Sequence, residues 1–126
     1  MFDQMPLFSL SSAMARHAGS RQAVTATNIA NADTPGYRAQ TMASFGETYR
    51  AAQTGALRTT RPGHMGGGMA AAAARVATGG AEPAPNGNSV SLETEMIAGV
   101  AAQREHSRAL AVYRHGLTVL RAATAR

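Results

Sequence analysis

The sequence predicts an all-α fold. Two long terminal helices should pack as an antiparallel coiled-coil-like pair, with an irregular Gly/Pro/Ala-rich middle region between them. Three observations predict it. Apolar residues recur at spacings of three and four at both ends of the chain. A Thr34-Pro35-Gly36 break stops the first of these patterns, and glycine, alanine and proline dominate from Gly66 to Asn88. At 126 residues the chain is expected to be a single domain, divided into a helix over 6–32, a loop-rich middle over 33–90 and a helix over 91–125.

The first helix starts at Pro6, a residue suited to a first helical turn. Leu7, Leu10, Met14 and Ala18 then mark one face, and Ala15, Ala18, Gln22, Ala26 and Ile29 continue it with smaller side chains. A helix of about 25 residues is about 38 Å long, which suits a bundle or coiled coil better than an isolated small domain. Gly19 is its weak point, costing about 1 kcal/mol relative to alanine.

The helix is stopped by chemistry. Pro35 crowds Thr34 out of the α region, and Asp33 competes for backbone amides. Pro35 and Gly36 suit the central positions of a type II turn, where glycine takes a positive φ. Asn28 and Asn31 lie three apart on one helical face, so two amides need partners if that face is buried. A bond to a neighbouring helix is the partner expected for each.

Beyond the turn, Phe45 to Gln53 reads as a short helix ending near Gly55, and Thr60-Arg61-Pro62-Gly63-His64-Met65 as another turn. Gly66-Gly67-Gly68 and Pro83-Ala84-Pro85-Asn86-Gly87 read as flexible, with a helical turn or two at Ala70–Ala74. The last third is the strongest helix. Ser91 is its expected N-cap, Glu93 and Glu95 suit the positive end of the dipole, and Arg121 and Arg126 suit the other end. Met96, Gly99, Gln103, His106, Leu110, Tyr113, Leu117, Leu120 and Thr124 keep a heptad spacing. The pairing expected from these patterns sets Leu7, Leu10 and Met14 against Leu110, Leu117 and Leu120, with Tyr113 in the same seam.

Composition narrows the function. Much of the apolar fraction is alanine, which buries little compared with the ~1.5–3 kcal/mol of a buried Leu, Ile or Phe. A chain of this kind gains by burying surface against neighbours. Without cysteine there are no disulfides or thiolate metal sites. No apolar run reaches the roughly 20 residues of a membrane span. The acidic, short-apolar start predicts no cleaved signal peptide. The net charge of +5 comes entirely from arginine. It raises a small basic nucleic-acid-binding protein as the alternative, although the arginines are scattered and no aromatics interleave with them. A membrane-surface helix is disfavoured, because neither long helix sets a strongly cationic face against a bulky apolar one.

Thr27-Asn28-Ile29-Ala30-Asn31-Ala32-Asp33-Thr34-Pro35-Gly36-Tyr37-Arg38 resembles the N-terminal signature of bacterial flagellar axial proteins. Gly87-Asn88-Ser89-Val90-Ser91-Leu92-Glu93-Thr94-Glu95-Met96 is similar to the opening of the last helix in the rod proteins of that family, with Ser91 where aspartate is more usual. The ending Ala109–Arg114 and Leu117–Ala123, the Thr60–Met65 island and the short length look like the proximal rod members. The resemblance implies a structural subunit of the flagellar basal-body rod, exported by the flagellar type III apparatus without a cleaved signal. Its implied partners are copies of itself, other rod proteins, the rod-to-membrane-ring adaptor and the export apparatus. It implies no nucleic acid and no membrane insertion.

Candidate sites are therefore mechanical. Asn28, Asn31, Thr34, Pro35, Gly36 and Tyr37 form an assembly and turn motif; Leu7, Leu10, Met14, Leu110, Tyr113, Leu117 and Leu120 carry helix packing. His64, Met65 and Met69 make a poor preformed soft-metal site. No acid pair flanks a pocket, and the triple glycine lacks the Lys-Ser/Thr of a P-loop. Neither an enzyme nor a cofactor is expected.

Overall fold

The computed structural model describes residues 6–54, 76–79 and 81–125. The Thr60–Met65 turn, the glycine run at 66–68, the Ala70–Ala74 turn and the His64, Met65, Met69 trio lie outside the described residues. The chain runs α1 (Pro6–Ala30), β1 (Gln40–Met42), α2 (Phe45–Thr54), β2 (Val76–Thr78) and α3 (Leu92–Thr124). The fold is mostly helical, and α1 and α3 pack against each other. Their pairing is antiparallel. Phe8, early in α1, meets Tyr113 edge to face at 5.1 Å, whereas Asn28, late in α1, bonds to Glu95 in the first turn of α3.

The buried stripe is not the one the large residues suggest. In α3 the buried positions are Ala102, Ala109 and Gly116, and in α1 they include Ser11, Ala18 and Thr25. Both sets repeat every seven residues, and all are small. Small side chains at the seam let two helix axes approach closely. A Cβ on Gly99 would sit 3.4 Å from the Thr25 methyl, and one on Gly116 would sit 3.1 Å from the Phe8 ring. The expected seam is therefore corrected by one residue in half of its positions. Gly99, His106, Tyr113 and Leu120 lie at or beside the contact, but Met96 and Gln103 are exposed, Leu110 is 36 % exposed and Leu117 is half-buried. On α1, Leu7 is 46 % exposed and Leu10 and Met14 are half-buried, while Phe8 is the large apolar residue that is fully covered. The expected continuation through Gln22, Ala26 and Ile29 is exposed as well. Alanine burial gains little per residue, so close fit has to do what bulk does in a leucine seam.

Across the pair, Arg21 makes a two-pronged bond to Glu105 at 2.8 and 2.9 Å, and His106 Nδ1 donates to the Ala15 carbonyl at 3.2 Å. The ion pair is partly exposed, so it contributes of order 1 kcal/mol or less.

The middle region holds more order than its composition predicts. β1 and β2 form an antiparallel ribbon with Thr41 opposite Ala77. α2 begins with a capping box: Ser44 Oγ accepts from the Glu47 amide, and the Glu47 carboxylate accepts from the Ser44 amide and hydroxyl. Those bonds, the hydroxyl's first, hold the Glu47 carboxyl below its ordinary value of 4.5. Ser91 does take the N-cap position of α3 in extended backbone, but its side chain makes no cap bond and accepts instead from Thr94.

Candidate functional site: a stitched turn at the end of α1

The tightest polar construction lies where α1 ends. The helix winds down through 3₁₀-like bonds, Ala32 N–H to the Ile29 carbonyl and Thr34 N–H to the Asn31 carbonyl. Tyr37 N–H then closes the turn onto the Thr34 carbonyl at 3.3 Å. Gly36 sits between them at φ +72°, the sign a type II turn demands of its second central residue.

Asn28 is the hub of the site. Its side chain is fully buried. Its amide donates to the Gln40 carbonyl at 2.7 Å and to Glu95 Oε1 at 2.9 Å. Its oxygen accepts from the Gln40 amide at 2.9 Å and from the Tyr37 hydroxyl at 3.4 Å. One side chain thus joins α1, β1, α3 and the turn. A buried amide so fully paired fixes geometry, because any slip leaves several groups unsatisfied at once.

Asn31 behaves differently. Its amide turns back to the Thr27 carbonyl of its own helix, and its oxygen accepts from Thr34. Among the described residues it does not reach another helix. The second bridging amide belongs to Asn88, which the sequence patterns did not single out. Asn88 Nδ2 donates to the carbonyls of Asn31, Ala32 and Thr34, at 2.9, 2.7 and 2.9 Å, and so caps the carbonyl end of α1 from the far side of the chain. Its oxygen accepts from Val90 N–H. Beside it, Gly36 N–H donates to Asn86, Ser89 N–H to Tyr37, and Ala39 N–H to the Ser89 hydroxyl.

These bonds overturn the expected flexibility of Pro83–Gly87: its far end is sewn to the turn. Gly87, at φ +80°, rests so close that an added Cβ would lie 3.3 Å from the Gly36 Cα. Both glycines take a positive φ, but only Gly87 is hemmed in: a Cβ on Gly36 would meet nothing within 4 Å. Thr34, Pro35 and Gly36 are otherwise exposed, and Tyr37 is half-buried. The turn is rigid inside and presents an open outer surface.

The arrangement can hold a direction. Among the described residues no group of three His, Cys, Asp or Glu side chains is placed to hold a metal, and no helix is long and apolar enough to cross a membrane.

A second feature accompanies the turn. Leu92, Met96 and Val100 follow each other at one-turn steps along the outside of α3, with Ile97 beside them. Met96 is 59 % and Ile97 72 % exposed. Leu110 lies on the same side farther down the helix, whereas Val112 and Val119 are exposed on the opposite side. The seven-residue set Met96, Gln103, Leu110, Leu117 runs beside the small-residue stripe that α1 covers. α3 thus carries two neighbouring stripes and uses the smaller one within the chain.

No curated protein matches the chain. The family model described as "Flagella basal body rod protein" matches residues 9–38, which is less than half of the chain. The matched residues run from the first turn of α1 to the end of the turn that stops it. They leave the nucleic-acid alternative without support, and α1 with its stitched turn is similar to the corresponding segment of flagellar basal-body rod proteins.

Proposed function

We propose that this chain is a structural subunit of the proximal rod of the bacterial flagellar basal body, of the FlgB type. It joins copies of itself and other rod proteins through its terminal helices, and the shaft so built passes motor torque across the periplasm. On this reading it leaves the cell body through the flagellar type III export apparatus without a cleaved signal, and it meets the rod-to-membrane-ring adaptor at its base. Asn28, Thr34, Pro35, Gly36 and Tyr37 set the direction in which the middle region leaves the helix pair, and Asn31 adds to the exposed side of that turn.

The observation that carries the reading is the coincidence of the family match with the most heavily bonded segment of the fold. The outer apolar stripe of α3 agrees with it, since contiguous exposed apolar surface marks a place of association. Leu110 and Leu117 then pack between subunits, while Tyr113 and Leu120 face α1.

Gly36→Val tests this. A β-branched residue resists positive φ, and Gly36 sits at φ +72°, so the strain falls on the backbone although a Cβ there would meet open space. The variant should keep its helical circular dichroism, yet fail to restore rods or swimming to cells lacking the native chain. Normal rods and motility from the variant would refute the role given to the turn.

A further inference from the structure

His17 lies at the junction of α1, α2 and α3 and is 7 % exposed. Its ring meets Phe45 of α2 edge-on at 5.5 Å, and its Nε2 lies 3.4 Å from Thr48 Oγ1. The Thr48 hydroxyl gives its one proton to the Ser44 carbonyl at 3.0 Å. With that proton so placed, the hydroxyl is free to accept from Nε2, the tautomer we assign to the ring. In that tautomer Nδ1 is buried and makes no hydrogen bond of good geometry. A second proton on this ring can go only to that atom.

The surroundings oppose it. Burial is the chief cause that holds the imidazole below its ordinary value of 6.5, and the guanidinium of Arg21, one turn along α1, adds to it. Glu105 on α3 and the Ala43 carbonyl pull the other way, more weakly. Glu105 is already engaged by Arg21. From α2 the ring is faced by Phe45 and Thr48, neither of which titrates in this range.

We propose that His17 is an acid-released latch: when its ring takes a second proton, α2 lifts from the helix pair while α1 and α3 stay joined. The joints of the pair lie elsewhere, at Phe8 and Tyr113, along Ala18, Ala102 and Ala109, and at Asn28. His106 donates from Nδ1 to Ala15 and keeps that bond in either protonation state. The sign is definite. Docked His17 binds fewer protons than free His17, so docking is at full strength above pH 6.5 and weakens as pH falls through that value. Glu47 titrates lower, below its ordinary 4.5, and its capping box is intact in this window.

Hydrogen–deuterium exchange of the full chain at pH 7.5 and 5.5, corrected for intrinsic rates, tests the latch. Residues 45–54 should exchange severalfold faster at pH 5.5, with residues 95–117 of α3 unchanged. In His17→Phe, which keeps a ring against Phe45 but has no proton to gain, the difference should vanish. Equal protection of α2 at both pH values, or loss from α3 in step with it, would overturn the proposal. So would an unaltered pH effect in His17→Phe. Should that variant fold poorly, a nuclear magnetic resonance titration of the native chain decides alone: a His17 pKa at or above 6.5 would overturn it.

Discussion

Asn28→Ala should destabilise the chain by about 3 kcal/mol or more, against under about 1 kcal/mol for Asn31→Ala. The two residues share a type, a helix and a signature, but their surroundings differ. Truncating Asn28 strands both backbone polar groups of Gln40 and removes a donor from the Glu95 carboxylate, around a side chain that is itself fully buried. Each buried group left unpaired costs roughly 1–3 kcal/mol. Truncating Asn31 breaks a bond to a carbonyl of its own last turn, in a half-exposed position where water can replace it. At roughly 4 °C per kcal/mol for a domain of this size, thermal melting followed by circular dichroism should separate the variants by several degrees. Equal losses would mean that the hub is not where the fold is held.

Gly116→Leu should cost about 3 kcal/mol, whereas Gly116→Ala should stay within about 1 kcal/mol of the native chain. Two effects oppose each other at this position. Replacing a mid-helix glycine by alanine stabilises the helix by about 1 kcal/mol. The added Cβ would meet Phe8 at 3.1 Å and Leu7 at 3.2 Å, closer than comfortable contact. The Leu7 side chain is partly exposed and can yield by a few tenths of an ångström, so alanine is tolerated. Leucine would drive its branch into the buried Phe8 ring and push the helices apart. Urea unfolding midpoints would show the contrast. A leucine variant as stable as the native chain would mean that α1 and α3 are not held at the spacing their small residues permit.

Much of the fold was legible because its signals are long or chemically unusual. The two terminal helices extend over many turns, and Thr34-Pro35-Gly36 leaves a helix nowhere to go. The seam of α3 was half legible. A helical period places Leu110 beside Ala109 and Leu117 beside Gly116, and a reading that rewards bulk selects the leucines. The structure buries the small residues instead, because a narrow seam admits close approach and leaves the bulky stripe for other contacts. The ribbon of β1 and β2 was not legible, since three residues are too few for an alternating pattern. Asn88 was missed for another reason. Its three acceptors lie more than fifty residues away, and nothing local marks an asparagine as a cap for a distant helix. His17 carries no local signal in the sequence; only the docking of α2 gives its ring a junction.

An electron cryomicroscopy map of basal bodies isolated from cells carrying this chain tests the central claim most directly. The account predicts the chain in the proximal rod, with α1 and α3 antiparallel and Met96, Leu110 and Leu117 packed against neighbouring subunits. A rod built without this chain, or one in which that stripe of α3 faces open solvent, would contradict it.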